Sequence, residues 1–337
     1  MTNVNVVANQ SFTENSEIPE GYEWVETETA GTYELRKIAL AAQLEYAALT
    51  LEGTILVNFY MTFPENSPAN YVTMTINGRT TKVFVADSAA TSWGRQFDCT
   101  TYAKEMGDDI VIKVYDEQGN LLNFRTYSDP TPITEFAYTV ETYLTSSTVT
   151  ESQNLYLRKL GEQMLQYGQY AKYYFENRKA SSSLNGVTPV PPTLDDLAAY
   201  EPQVTVNGLD SVACYGGSLI LEDAVTIRMY FTGYDASHTY SYVDTKNVIH
   251  QLDASNIDPA TGKHYVDIRN VAAQYLDYMY VVTVSDGNNN TYTVTYSALS
   301  YVRSIIRDGG VSQSMMDLAV KIYLYNQAAN NYFDNRH

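Results

Sequence analysis

Leu49-Thr50-Leu51-Glu52, followed by Ile55-Leu56-Val57-Asn58-Phe59-Tyr60-Met61, decides the fold because it occurs twice. Its second occurrence is Leu219-Ile220-Leu221-Glu222, followed by Val225-Thr226-Ile227-Arg228-Met229-Tyr230-Phe231, at an offset of 170 residues. The same offset pairs Ala103, Val111, Val114 and Asp116 with Ala273, Val281, Val284 and Asp286. Arg125-Thr126-Tyr127-Ser128 pairs with Val294-Thr295-Tyr296-Ser297, or with a frame close to it. The end of each copy repeats at an offset of 158. There Tyr167, Gln169, Ala171, Tyr174, Phe175, Asn177 and Arg178 match Tyr325, Gln327, Ala329, Tyr332, Phe333, Asn335 and Arg336. Ordered blocks of this kind are the mark of an internal duplication. The change of offset places extra residues in the first copy, around Asp129–Thr134.

Each copy begins with strands. Ile55, Val57, Phe59, Met61 and Phe63 alternate with Leu56, Asn58, Tyr60 and Thr62, the period of a half-buried strand. Asn77-Gly78 lies between Tyr71–Ile76 and Thr81–Ala86, and both residues tolerate the positive φ of a tight hairpin. A second hairpin is expected to join Ile110–Tyr115 to Leu121–Tyr127, and its counterpart to join Tyr280–Ser285 to Thr291–Tyr296. The pattern then changes period. Leu157, Leu160, Met164, Tyr167, Ala171, Tyr174 and Phe175 recur at helical spacing, as do Met315, Leu318, Ile322, Tyr325, Ala329 and Phe333. Ser152 and Ser312 stand where N-caps are expected. Shorter helices are expected near Ile133–Leu144 and Ala298–Ile306, while Glu34–Leu44 reads as a short helix or an extra strand.

The expected fold is therefore mainly β with helices: two similar lobes, each an antiparallel β-sandwich followed by a helical cluster. Lobe 1 is expected over residues 21–180 and lobe 2 over 206–337. Residues 181–205 join them, serine- and glycine-rich and then proline-rich, as linkers are. Residues 1–20 read as a flexible leader. A linker this short keeps the lobes near each other, so a groove between them is expected.

Composition narrows the function. The 337 residues are 45% hydrophobic and 18% charged, enough for a large core. The formal charge of −18 repels phosphate backbones and anionic headgroups, so nucleic acid is not an expected partner. No run of 18 apolar residues occurs, so no membrane insertion by a helix is expected. Four histidines, at 238, 250, 264 and 337, form no zinc motif, and no cofactor or metal is expected. No GxSxG, phosphate loop or EF-hand is present. Asp108-Asp109 and Asp195-Asp196 read either as cation ligands or carboxylate dyads, or as solvated flanks. Cys99 and Cys214 read as inert buried thiols, against an inter-lobe disulfide. No catalytic residue is expected, although paired carboxylates meet in space and not in sequence.

The 31 tyrosines stand against only 10 phenylalanines. Rigid amphipathic rings suit the apolar C–H faces of a neutral polysaccharide, ringed by amide, carboxylate and guanidinium groups. Trp93, in the polar loop Ser88–Arg95, is a candidate stacking ring or a local loop contact, with Arg95 as a polar neighbour. The equivalent loop of the second copy supplies Lys263 and Tyr265. Tyr234 and Asp235, followed by His238 and Tyr240, form a further candidate cluster. Tyr60, Tyr230, Tyr167 and Tyr325 recur in both copies and read as scaffold. Trp24 reads as a cap over the first sandwich or as a binding ring.

Leu49–Met61, Ala103–Asn120 and Leu165–Phe175, with Tyr280–Gly287, Tyr292–Tyr301 and Leu324–Ala329, resemble a duplicated module of large secreted proteins of gut clostridia and ruminococci. Within that group the tyrosine richness resembles the two-lobed starch-binding domains of ruminococcal amylosome starch-adherence proteins. The resemblance implies a secreted or cell-surface, non-catalytic module that binds starch or maltooligosaccharides. Other surface-complex proteins would be met through parts outside this chain. A cell-surface structural or protein-interaction spacer is the alternative, since a duplicated scaffold serves either role. A glycoside hydrolase ranks behind both.

Overall fold

The computed structural model describes residues 21–28, 33–50, 54–176, 189–221 and 224–335. The expected leader, residues 181–188 of the expected linker, and His337 lie outside them. In the first copy, β1 (Tyr22–Glu26) and β2 (Tyr33–Lys37) form an antiparallel ribbon with Trp24 opposite Leu35. Next come β3 (Ala42–Thr50), β4 (Ile55–Thr62), β5 (Tyr71–Ile76), β6 (Arg79–Phe84), β7 (Ala89–Thr91) and β8 (Gly94–Thr101). A 3-10 turn at Ala103–Glu105 leads to β9 (Ile110–Tyr115), β10 (Leu121–Leu122), β11 (Phe124–Thr126) and β12 (Phe136–Tyr138). Helices α1 (Val140–Thr145), α2 (Ser147–Thr150) and α3 (Leu155–Glu176) close the copy. The second copy runs β13 (Val204–Asn207), β14 (Ala213–Ile220), β15 (Thr226–Thr232), β16 (Thr239–Val243), β17 (Ile249–Leu252) and β18 (His264–Ile268). A 3-10 turn at Ala273–Tyr275 precedes β19 (Tyr280–Ser285), β20 (Thr291–Tyr296), α4 (Ala298–Asp308) and α5 (Gln313–Asp334).

The fold is mainly β, its sheets largely antiparallel, with helices closing each copy. The open stretch Glu34–Leu44 holds β2 and the start of β3, not a helix. In the first copy the sheets have strand orders β10-β9-β5-β6, with β12 also on β9, and β11-β3-β4-β8-β7. In the second they are β13-β20-β19-β16-β17 and β14-β15-β18. Alternation fills the layer between each pair of sheets. Val57, Phe59 and Met61 of β4, Val72 and Met74 of β5, and Ile110, Ile112 and Val114 of β9 are all fully buried. Burial of each such side chain contributes about 1.5–3 kcal/mol. In the second copy Phe231 of β15 meets Tyr240 of β16 and Tyr292 of β20 edge-on, at 5.5 and 6.5 Å between ring centroids. The expected Asn77-Gly78 hairpin is present. Both residues take positive φ (48° and 79°) and pair Ile76 with Arg79.

The second expected hairpin is only half present in the first copy. β10 pairs with β9 for two residues. The chain then leaves that sheet, and β11 joins β3 in parallel, with Phe124 buried. It returns as β12, which places Tyr138 opposite Ile110. In the second copy β20 runs unbroken and places Tyr296 opposite Tyr280, the equivalent pairing. The extra residues of the first copy are thus an excursion beginning near Asn123, earlier than the expected Asp129–Thr134. Tyr138-Thr139, and not Tyr127-Ser128, stands in the place of Tyr296-Ser297. Thr139 and Ser297 then do the same work: each side chain accepts the backbone N–H three residues on and starts a helix. Ser312 caps α5 as expected. Ser152 does not cap α3; Asn154 does, its Oδ1 accepting the N–H groups of Tyr156 and Leu157.

The described residues fall into two compact units. One comprises those up to Ala48, Val57–Cys99 and Asp109–Tyr138; the other comprises Leu49–Leu56, Thr100–Asp108 and those from Thr139 onward. The long helices of both copies belong to the second unit, where α3 packs on α5. Their contact brings equivalent residues together. Tyr167 stacks on Tyr325, ring centroids 5.2 Å apart and planes 19° apart, and both rings are buried. A small cavity of about 30 Å³ beside them is lined by matching pairs, Ile55 with Val225, Thr101 with Val271, and Ala103 with Ala273. The match is not perfect. Gly168 leaves no room for a side chain against Met106 and the Ala103 carbonyl, while its counterpart Asn326 donates to the Ala273 carbonyl at 2.8 Å.

Candidate functional site

Trp93 sits at the tip of the β7–β8 hairpin, in the two-residue connection between the paired Thr91 and Gly94. The turn is built to hold it. Thr91 Oγ1 accepts the Trp93 backbone N–H (3.1 Å) and donates to the Gly94 carbonyl (2.8 Å). Gly94 has φ of +110°, and a Cβ there would lie 2.5 Å from the Met61 carbonyl oxygen, so only glycine fits. Arg95 braces the loop by donating to the Ser88 carbonyl at 2.8 Å. The indole therefore stands out on a rigid support with 62% of its surface exposed.

The ring is not isolated. Tyr46 of β3 meets Trp93 at 5.4 Å with planes 88° apart, and stacks on Tyr60 of β4 at 4.5 Å and 16°. Beside these rings runs a polar chain on the same strands. Thr62 donates to Glu45 (2.6 Å), Gln43 donates to Glu45 (3.0 Å), and Arg125 of β11 donates to Gln43 (2.7 Å). A hollow of about 150 Å³ follows, lined by Glu45, Tyr46, Phe136 and Tyr127, the last 75% exposed. One sheet face of the first unit thus carries an aromatic ladder edged by carboxylate, amide and guanidinium.

The second copy carries its own aromatic face on β14, β15 and β18. Arg228 forms a bidentate pair with Asp267 (2.8 and 2.9 Å) and lies 3.6 Å over the Tyr265 ring. Asp267 holds the guanidinium pKa above its usual value. Tyr265 also meets Tyr230 edge-on at 6.3 Å. Lys263 lies 3.7 Å over Tyr215, a ring left 69% exposed where β14 bulges. Tyr265 has a face occupied by arginine, so it is held in a cation–π stack.

Tyr234, Asp235, His238 and Tyr240 do come together. They lie at one end of the second sandwich, where Tyr234, His238 and Tyr240 line a pocket of about 250 Å³ with Gln251, Asp253 and Ser255. Neither tyrosine of this candidate cluster stands open on both faces. Tyr240 belongs to β16 and is 2% exposed, its ring wedged between Phe231 and Tyr234. Tyr234 has one face covered by His264, centroids 3.8 Å apart. Burial, then the neighbouring Tyr234 and Asp235, push the Tyr240 phenol up to about 12. Asp235 lies below the usual carboxylate range because the Ser237 backbone N–H and hydroxyl donate to it. Asp253 is lowered by the Ser255 hydroxyl and N–H.

The remaining expected chemistry resolves into structure. Asp108 pairs with Lys172, and Asp196 accepts from the Thr193 hydroxyl and backbone N–H. Neither cysteine is in a disulfide, and burial pushes the Cys214 thiol up to about 11. Among the described residues no group of three His, Cys, Asp or Glu side chains could hold a metal ion. No helix among them is long and apolar enough to cross a membrane. Tyr46, Tyr127 and Tyr215 were absent from the expected site. Tyr60, read as scaffold, lies in the ladder; its alternation against Val57, Phe59 and Met61 was the available signal that it faces outward.

No family model and no curated protein matches the chain. Solved structures do match, among them a chain from work on host cell surface retention of a 1.5-MDa bacterial ice-binding adhesin. It is similar over 80% of this chain and 71% of that one, at 12% identity and a TM-score of 0.18. A likeness this slight carries no argument about fold or function.

Proposed function

We propose that this chain is a non-catalytic carbohydrate-binding module, acting on starch or a similar α-1,4-glucan outside the cell. The observation that carries the proposal is the exposed Trp93, held on a rigid hairpin and continued by Tyr46 and Tyr60. A sugar ring has apolar C–H faces and a hydroxyl rim. An aromatic ladder takes the faces at low entropic cost, because the rings are already fixed. Glu45, Gln43 and Arg125 stand beside the ladder where hydroxyls of a bound chain would hydrogen-bond, directly or through water. The strongly negative net charge does not oppose a neutral glycan. The choice of starch over other glycans rests on the sequence resemblance to starch-adherence modules.

Native electrophoresis in gels containing soluble starch, xyloglucan or mucin tests the reading. Retardation in the starch gel is expected, with Trp93→Ala weakening it roughly 5-fold to 150-fold, the loss of one stacking ring. Unchanged mobility in starch defeats the proposal, and unchanged affinity of Trp93→Ala defeats the assigned site.

A further inference from the structure

The pocket at the end of the second sandwich is built unlike the Trp93 ladder. Its defining feature is a pair of buried polar atoms that no described residue satisfies. The Tyr240 hydroxyl has no hydrogen-bond partner among the described residues, although the residue is 2% exposed. The His238 Nδ1 atom is likewise buried and without one. Both residues line the same open cavity of about 250 Å³. Leaving a buried phenol and a buried ring nitrogen unpaired is unfavourable, so such atoms mark a place where a partner arrives from outside.

The chemistry of that partner can be read from the walls. A phenol hydroxyl both donates and accepts, and a neutral imidazole nitrogen does one or the other. A hydroxyl group complements either state. Asp253 in the wall, its pKa lowered by Ser255, disfavours an anion, as does Asp235 next to the lining residues Tyr234 and Ala236. Gln251, Thr239 and Ser255 add amide and hydroxyl groups to the lining. The covered face of Tyr234 leaves the ligand to enter by its polar edge and not by stacking. The volume is below the roughly 300–1,000 Å³ typical of drug-sized ligands, and fits one ring.

We infer that this pocket is a second, separate sugar subsite that takes a single neutral pyranose ring by its hydroxyl edge, through Tyr240 and His238. The inference rests on the carbohydrate-binding reading and adds to it a site of a different kind.

Saturation-transfer difference NMR of the whole chain with D-glucose tests it, alongside starch-gel mobility of the same preparations. Transfer to glucose is expected. Tyr240→Phe, which keeps the ring and its packing, is expected to weaken glucose binding roughly threefold to tenfold, the loss of one hydrogen bond. His238→Ala should act in the same direction. Thermal melts of each variant verify folding. Equal glucose affinity of wild type, Tyr240→Phe and His238→Ala overturns the subsite. So does absence of glucose transfer alongside normal starch retardation, which leaves the Trp93 reading standing and the pocket holding water only. Glucose transfer that Tyr240→Phe weakens, without starch retardation, sustains the pocket and defeats the starch reading.

Discussion

Lys321→Met should stabilise the protein, and by an amount that depends on pH. Lys321 lies in the middle of α5 and is 3% exposed. Its Nζ donates to Gln166 Oε1 at 2.5 Å and lies 5.4 Å from the Tyr170 ring centroid. Burial lowers its pKa below the ordinary lysine value, against the opposing pull of Glu162 and Asp317. Methionine preserves the unbranched stem and most of the volume. What it loses is one charge-assisted hydrogen bond, about 1.5–3 kcal/mol, and a cation–π contact, about 0.5–1 kcal/mol. What it removes is the desolvation of an ammonium ion, a penalty of several kcal/mol. Gln166 is only half-buried and regains water as a partner. The balance favours methionine by about 1 kcal/mol near neutral pH. Between the folded pKa and the unfolded value of 10.5, the unfolded chain binds more protons, so wild-type stability rises with pH. The destabilisation is fully present below the folded pKa and is relieved as pH climbs towards 10.5, so the advantage of methionine shrinks. Urea denaturation of both proteins at about pH 7 and about pH 10 measures this. A variant less stable by more than about 1 kcal/mol, or an advantage unchanged with pH, refutes the reasoning.

Other outcomes follow from single positions. Thr101 Oγ1 and the Tyr167 hydroxyl, both in residues that line the small α3–α5 cavity, have no hydrogen-bond partner among the described residues, and the second copy has Val271 where the first has Thr101. Thr101→Val should be neutral or stabilising by up to about 1 kcal/mol in thermal melts; a loss of that size would show that a bound water satisfies the hydroxyl. Gly233 has φ of +71°, and a Cβ there would lie 1.8 Å from the Ser211 carbonyl oxygen. Gly233→Ala should cost more than about 3 kcal/mol, seen as loss of soluble protein or a sharply lowered melting point. Asp267→Asn breaks the bidentate pair with Arg228, whose side chain is only 20% exposed, and should cost about 2 kcal/mol by calorimetry.

The sequence made some of this legible because the physics there is local. Asn77-Gly78 announces a hairpin through backbone conformation alone, and Trp93 among serine, threonine and glycine stands out as a poor core position, which left a stacking ring or a loop contact. Where a choice depends on partners, the signal fails. Leu122, Phe124 and Thr126 keep the alternation of a single strand, yet period 2 specifies a strand and not which sheet it joins, so the excursion of β11 stayed hidden. Ser152 and Asn154 are both good caps, and only the geometry of α3 decides between them. Tyr60 shows the limit of arguing from recurrence, since a residue repeated in both copies can face outward in each. Tyr240, a candidate binding ring two residues after His238, is carried into the core by a strand that starts at Thr239.

The stacked Tyr167 and Tyr325 are equivalent residues of the two copies that meet each other. In a symmetric homodimer, a residue on the axis meets its own copy, and any substitution near it is made twice and counted twice. Here both halves of that isologous contact lie in one chain, so each side is free to change alone. Gln163 and Lys321 occupy equivalent places, as do Gly168 and Asn326, and in each pair the two residues have diverged. Covalent fusion also holds the partners together at a high effective concentration, independent of how dilute the protein is. Cutting the chain at its repeat boundary would therefore not release two finished halves. Each would expose an apolar helix face that ordinarily belongs to the interior.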